Sequence, residues 1–135
     1  MALMTFGQSY SVGVQSIDSQ HKVLFEIVNE LYAAMMKGQA KNLTGPLLHK
    51  LAEYTKNHFC AEEAIMAIAK YPGLAAHKLQ HRDLVKQVEE YLIRFEKSET
   101  LLNVQLLRCL RDWLTSHIQK VDKEYGPWLN AHGVC

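Results

Sequence analysis

The chain is poor in the residues that form turns, because its 135 positions include only seven glycines and three prolines. A many-stranded sandwich needs frequent turns, so this scarcity argues against an all-β fold. Long apolar runs are also missing. No uninterrupted run exceeds six residues, against the roughly 18 that a membrane-spanning helix needs. The first residues lack the basic flank and long apolar stretch of an export signal, so we expect a cytoplasmic protein without membrane insertion.

Charge of one sign is lacking as well. The chain has 15 Lys and Arg against 14 Asp and Glu, a formal net charge of +1, which gives no electrostatic reason to expect nucleic acid as a partner. The three cysteines, Cys60, Cys109 and Cys135, are odd in number and form no CxxC motif. The sequence therefore predicts no disulfide framework, and it assigns these cysteines no role.

The apolar residues recur with a helical period over most of the chain. The length suits one domain at about 150 residues per domain, and we expect a single domain over 1–135 with an extended arm at 1–17, a bundle at 18–125 and a short tail. The predicted fold is all-α, an up-down-up-down antiparallel four-helix bundle.

Capping residues, glycines and prolines predict where these helices begin and end. The first helix should start at Ser19 with Asp18 or Ser16 as its N-cap, and Gly38 should stop it. The second helix should open at Thr44-Gly-Pro46 and be broken at 71–73. The third should run from about Leu74 to Lys97. The fourth should be capped at 98–100 and end before Gly126-Pro127.

Histidine is the unusual component, with seven in the chain. Two pairs have i,i+4 spacing, His58 with Glu62 and His77 with His81, so each pair projects from one face of its helix. His117 and Asp122 are five residues apart, or about 140° on a regular helix. Either the two side chains reach a shared central site from two sides, or the helix contains a local π-type turn.

Antiparallel packing places these residues at one end of the bundle core. His21 lies near the start of the first helix. The three pairs lie at matching heights, past the middle of the second helix, near the start of the third and near the end of the fourth. Five imidazoles and two carboxylates in an apolar interior would each cost several kcal/mol if unpaired, so bound metal is the natural compensation. Seven ligands exceed the four of a tetrahedral zinc and suit two ions. Imidazole and carboxylate ligands favour two irons, with two zincs or a mixed pair left open.

Neighbouring polar residues are assigned outside this ligand set. His21 taken alone would be a core histidine bonded to a carbonyl, and only the matching pairs on the other helices make it a ligand. His49 and His132 have no helical partners and should be solvated. Glu63 points about 100° away from Glu62 and should lie at the surface or behind a ligand. Cys60 lies about 200° around the helix from His58, which argues against ligation.

Four stretches of this sequence resemble the hemerythrin family, particularly its single-domain bacterial branch. They are SIDSQHK at 16–22, HFCAEE at 58–63, YPGLAAHKLQH at 71–81 and WLTSHIQKVD at 113–122. The resemblance implies that His77, His81 and His117 hold one iron and that His21 and His58 hold the other. It also implies that Glu62 and Asp122 bridge the two irons beside an oxo or hydroxo group, and that dioxygen binds at the two-histidine iron.

The same resemblance implies an apolar pocket around the dioxygen position. The matching residues are Leu24, Phe59, Trp113, Leu114, Ile118 and Tyr125. One departure from the bacterial pattern is visible in the arm, where Phe6 stands at a position that commonly holds tryptophan.

The functional hypothesis is reversible dioxygen binding at a non-haem diiron centre, for carriage, storage or delivery, and the protein is not expected to be an enzyme. An oxygen-consuming enzyme of unknown identity would be the recipient. Two alternatives are a diiron oxidase or peroxidase and a sensing or iron-responsive module. The ferritin-like diiron enzymes that the first alternative resembles use more carboxylates than the two found here, and we see no second domain to receive a signal.

Overall fold

The computed structural model describes residues 3–37, 41–97 and 104–135, and the side chains of residues 3–37, 45–97 and 107–135. After a short 3₁₀ turn at Gln8–Tyr10, the chain forms α1 (Gln15–Met36), α2 (Lys41–Ile68) and α3 (Leu74–Glu96). A fourth rod consists of α4 (Val104–Ser116), a π-helical turn (His117–Asp122) and α5 (Lys123–Ala131). The predicted antiparallel four-helix bundle with an N-terminal arm is confirmed.

The apolar faces of the four rods meet in one core. Helix α1 packs against α2 and α4, and α2 packs against α3. The helices contribute mainly large aliphatic and aromatic side chains that are almost fully buried: Ile17, Leu24, Phe25, Ile27, Val28, Leu31, Leu48, Leu51, Met66, Leu84, Phe95, Leu107, Leu114 and Leu129. Burial of these side chains at regular helical spacing holds the four rods side by side.

Helix α1 begins at Gln15, four residues before the predicted Ser19, and neither Asp18 nor Ser16 is its N-cap. The Asp18 carboxylate instead accepts hydrogen bonds from the Ser11 hydroxyl at 2.6 Å and from the Val12 backbone N–H at 2.8 Å. The cap prediction was wrong because Asp18 bonds to the arm rather than to the first turn of its own helix. Asp18 thereby anchors the arm to the bundle.

Helix α2 starts at Lys41, so Pro46 lies inside the helix and the prediction that it lies in the first turn was wrong. The exposed Pro46 is followed by buried Leu48 and Leu51, whose packing offsets the backbone hydrogen bond that a proline cannot donate. Helix α3 has the predicted limits to within one residue. The predicted stop at Gly38 and the predicted cap at 98–100 lie outside the described residues.

The last helical rod continues through Gly126 and Pro127 to Ala131, so the predicted end before Gly126 was wrong. A Cβ atom on Gly126 would lie 2.1 Å from the Val12 carbonyl oxygen, which means that this glycine lets the arm approach the helix. Beyond Pro127, Leu129 is fully buried, and the Trp128 indole N–H donates to the Ala69 carbonyl at 3.1 Å. The packing of Trp128 and Leu129 therefore stabilises a helix that continues beyond Gly126 and Pro127, two residues of types that commonly end helices.

The segment His117–Asp122 is π-helical, which is the second of the two arrangements that the five-residue spacing allowed. The backbone N–H of Lys123 reaches back five residues to the Ile118 carbonyl. A wider turn of this kind brings residues five apart onto one face. As a result, His117 and Asp122 both point into the core.

Two further predictions concern what the fold lacks. Across the described parts of the chain, no helix combines the length and apolarity needed to cross a membrane. Cys60, Cys109 and Cys135 are exposed, and none of the three forms a disulfide in the described structure.

Candidate metal centre

All seven predicted ligands meet at one end of the bundle core. His21 comes from α1, His58 and Glu62 from α2, His77 and His81 from α3, and His117 and Asp122 from the π-helical turn. Each of them is at most 4% exposed. Their donor atoms fall into two overlapping groups of mutually close atoms. One group contains Glu62, His77, His81, His117 and Asp122, and the other contains His21, His58 and Glu62.

Glu62 lies between the two groups and contacts four histidines. Its Oε1 atom is 2.8 Å from His77 Nε2 and 3.2 Å from His81 Nε2. Its Oε2 atom is 3.1 Å from His58 Nε2 and 3.4 Å from His21 Nε2. One carboxylate therefore presents a separate oxygen to each group, which is the arrangement that a bridging ligand requires.

Asp122 connects the same two groups from the opposite rod. Its Oδ1 atom is 2.9 Å from His77 Nε2 and 3.0 Å from His117 Nε2, and its Oδ2 atom is 3.3 Å from His21 Nε2. The aspartate is 1% exposed, so it points into the cluster and not toward solvent. The π-helical turn is what makes this orientation compatible with that of His117.

Three of the histidines are held from behind through their other ring nitrogen. His58 Nδ1 bonds to Gln20 Oε1 at 2.6 Å, His81 Nδ1 to Glu63 Oε2 at 2.8 Å, and His117 Nδ1 to Gln80 Oε1 at 3.0 Å. Such outer partners fix the tautomer and ring orientation of a metal-binding histidine.

Sequence reasoning missed Gln20 and Gln80 and left the role of Glu63 open. A signal was present, because each of the three is adjacent in sequence to a predicted ligand. An adjacent residue points about 100° around the helix and so faces the next helix rather than the centre of the cluster. Identifying its partner required the packing of the four rods.

The donor set of the cluster fits two metal ions. All five Nε2 atoms point inward to carboxylate oxygens at 2.8–3.4 Å, and the Nε2 atoms of His81 and His117 face each other at 3.1 Å. Two ligand atoms at about 2.1 Å from one ion and at right angles to each other lie about 3 Å apart, which is close to these separations. His21 Nδ1 and His58 Nε2 are buried without hydrogen-bond partners among the described residues, and a metal ion would satisfy the second.

Without metal, protons provide the positive charge of the cluster. Burial opposes charging of His21 and His77, yet their hydrogen bonds to Asp122 and Glu62 raise the pKa of each imidazole to about 9. Burial likewise opposes ionisation of Glu62 and Asp122, but hydrogen bonds from the surrounding histidines hold the pKa of both carboxyl groups below its usual range. For His58, burial dominates and lowers the pKa.

The residues predicted to line a dioxygen pocket lie in two settings. The Phe59 ring stacks on His81 with centroids 3.7 Å apart, Trp113 stacks on His117 at 4.5 Å, and the Tyr125 hydroxyl donates to Glu62 Oε2 at 3.0 Å. The others, Leu24, Leu114 and Ile118, are at most 2% exposed in the core.

The residues excluded from the ligand set lie apart from it. His49 is exposed and pairs with Glu96, and His132 is exposed and stacks on Trp128. Cys60 is exposed on α2. Of the seven histidines in the chain, these two are the ones that the fold leaves outside the cluster.

The fold and the buried cluster define a four-helix-bundle protein built to hold metal ions between histidine nitrogens and shared carboxylates. A family model described as the hemerythrin HHE cation binding domain matches residues 12–129. The chain belongs to the hemerythrin family, whose cofactor is a diiron centre.

Known proteins similar to this chain come from bacteria and from an animal. It is 39% identical to the bacteriohemerythrin of Methylococcus capsulatus over 97% of this chain and 100% of that protein. It is 35% identical to that of Stenotrophomonas maltophilia, over 98% of this chain and 85% of that protein. Similarity extends to the myohemerythrin of Sipunculus nudus, at 33% identity over 87% of each chain. A crystal structure of wild-type hemerythrin superposes with a TM-score of 0.91 at 38% identity, covering 95% of this chain and 98% of that one.

Proposed function

We propose that this protein binds dioxygen reversibly at a non-haem diiron centre. The observation that carries the proposal is the buried cluster, in which five histidines and two carboxylates form two overlapping groups of mutually close donor atoms in a hemerythrin-family bundle. His77, His81 and His117 would hold one iron and His21 and His58 the other, with Glu62 and Asp122 as bridges. A pair of irons supplies the electrons that reversible dioxygen binding requires.

The remaining side chains at the cluster favour binding over catalysis. Phe59 and Trp113 cover the outer faces of two ligand rings and offer no acid or base. Tyr125 contacts Glu62, but burial raises the pKa of its phenol and keeps it protonated. With Leu24, Leu114 and Ile118, these residues would form a wall that excludes water from bound dioxygen. The protein would therefore act as a carrier and not as an enzyme.

The physiological setting is part of the same proposal. We place the protein in the cytoplasm, as one hemerythrin-like domain over residues 1–135 that carries, stores or delivers oxygen to an oxygen-consuming enzyme. Three exposed cysteines outside any disulfide support a reducing compartment, because such thiols persist where disulfides do not form.

A visible spectrum provides the test. Iron-loaded protein would be reduced without oxygen, exposed to air and then deoxygenated, with the metal-free chain as the control. We expect about two irons per chain and an absorption band that appears with air and disappears when oxygen is removed. Irreversible oxidation on first contact with air, or steady turnover of added peroxide, would contradict the proposal.

A further inference from the structure

The hydrogen bonds behind the ligand histidines follow one direction around the bundle. Gln20 on α1 supports His58 on α2, and Glu63 on α2 supports His81 on α3. Gln80 on α3 in turn supports His117 on the fourth rod. Each helix therefore provides the acceptor for the histidine of the next helix along the chain.

This series of supports is incomplete at α1. His21 Nδ1 is buried with no hydrogen-bond partner among the described residues, and His21 is 1% exposed. The three-histidine group thus has two supported ligands, His81 and His117, whereas the two-histidine group has only His58. The two metal positions consequently differ in how firmly their ligands are held.

The three acceptors also differ in charge. Gln20 and Gln80 offer neutral amide oxygens, while Glu63 offers a carboxylate 2.8 Å from His81 Nδ1. A hydrogen bond to an ionised acceptor is roughly twice as strong as one between neutral groups. Glu63 is 23% exposed and lines a surface cleft with Lys78 and Arg82.

His81 is in addition fixed by its ring face. Phe59 stacks on it with a centroid separation of 3.7 Å and an interplanar angle of 1°. The contact with Glu63 at Nδ1 and the stacked Phe59 ring together remove the freedom of the imidazole to rotate about the χ2 angle. His81 Nε2 is therefore presented to the cluster in one orientation.

We propose that Glu63 is a positioning residue that acts through His81 and makes the three-histidine position the tighter and the more electron-rich of the two metal positions. The inference deepens the proposed diiron function and depends on it. A carboxylate behind an imidazole increases the electron density at the metal-binding nitrogen. This favours the more oxidised, more positively charged ion and so lowers the reduction potential of the iron that His81 binds.

The test compares Glu63→Gln, which keeps a hydrogen-bond acceptor and removes the charge, with Gln80→Glu, which adds a charge behind His117. We expect Glu63→Gln to bind its more tightly held metal ion roughly 10-fold more weakly in competition with a chelator, within the range seen for outer partners of metal ligands. The reduction potential of the iron-loaded Glu63→Gln protein should rise. Gln80→Glu should shift the potential in the opposite direction, a reversal that a loss of packing would not produce.

The matched control is Glu53→Gln, which removes a carboxylate from an exposed position of the same helix about 15 Å from Glu63 along its axis. Equal affinity and potential in Glu63→Gln and Glu53→Gln would overturn the inference. If Glu63→Gln does not fold, Gln80→Glu decides the question. An unchanged reduction potential of the iron-loaded Gln80→Glu protein would then overturn the inference. Failure of the diiron function would appear separately, as a parent protein that does not hold two irons.

Discussion

The two ends of the bundle core are filled in different ways. One end holds seven ionisable side chains in contact with one another, all nearly inaccessible to solvent. The other begins one helical turn from the cluster, at Leu84, and extends to about 15 Å from it along the helices, since Leu48 and Leu107 each precede a ligand histidine by ten residues. It is apolar, and its residues surround a cavity of about 130 Å³ lined mainly by Leu48, Leu51, Leu84, Val88, Leu107, Leu110 and Trp113.

This difference separates stability from function within one core. The apolar end stabilises the fold through buried area, which depends on neither pH nor metal. The cluster end depends on both, because its carboxylates need positive charge from protons or metal ions. Trp113 joins the two, since it lines the cavity and stacks on His117.

Removal of a ligand should produce the largest effect. His81→Ala takes away an imidazole whose Nε2 lies 3.2 Å from Glu62 and 3.1 Å from His117. We expect the loss of about one iron per chain and of the oxygen-dependent band, measured by metal analysis and visible spectroscopy. His49→Ala is the control, because His49 is exposed and pairs with Glu96, away from the cluster. Two retained irons and an unchanged spectrum in His81→Ala would refute the ligand assignment.

Leu114→Ala tests the buried wall beside the cluster. Leu114 is 2% exposed and precedes His117 by one helical turn. Loss of its methyl groups should lower the free energy of unfolding by about 2–5 kcal/mol, depending on how far the core collapses. Both irons should still bind, but the oxygenated band should decay faster because water would reach bound dioxygen. Decay at the parental rate would show that Leu114 is ordinary core.

The metal-free protein should lose stability as the pH rises. The pKa of His21 and of His77 is raised from the ordinary 6.5 to about 9, so both imidazoles are charged in the folded protein at pH 7.5. Their contribution is fully present below pH 6.5 and is lost as the pH passes through about 9. Urea unfolding at several pH values between 6 and 10 should show this decline. The iron-loaded protein should not show it, because metal ions replace those protons, and parallel pH profiles would contradict the prediction.

The smallest expected effect lies at the apolar end. Val88→Ile adds one methylene group at the cavity wall, and burying it should raise the free energy of unfolding by about 0.8 kcal/mol. Iron content and the oxygen-dependent band should not change. An altered spectrum would show that the two ends are not separable, and a lower stability would show that the wall of the cavity cannot accept the extra group.

Sequence patterns predicted the cluster better than the ends of the helices. The i,i+4 pairs and their matching heights depend only on helical geometry and antiparallel order, both of which are regular. The π-helical turn was one of two arrangements that the spacing of His117 and Asp122 allowed, and the packing of Asp122 against His21 and His77 decides between them.

The errors came from residues whose local preference is overridden by distant parts of the chain. Asp18 has the chemistry of an N-cap, but the arm residue Val12 takes its hydrogen bond. Glycine commonly ends a helix, but here Gly126 makes room for the carbonyl group of Val12. Both outcomes depend on where the arm lies, and that position is set by contacts more than 100 residues apart, such as the hydrogen bond between Asn130 and Gly13.

The π-helical turn gives the last rod one residue more per turn than its neighbours have. An insertion or deletion within 118–121 would therefore have a different outcome from one in a surface loop. Deleting one residue would restore a regular α-helix and keep the rod intact, yet His117 and Asp122 would then be four residues apart. The aspartate would stay on the inner face, and the residues after it, which follow in a regular helix, would keep their orientation relative to it. Gly126 would still lie opposite Val12, so the π-helical turn contains one residue that the attachment of the arm does not require.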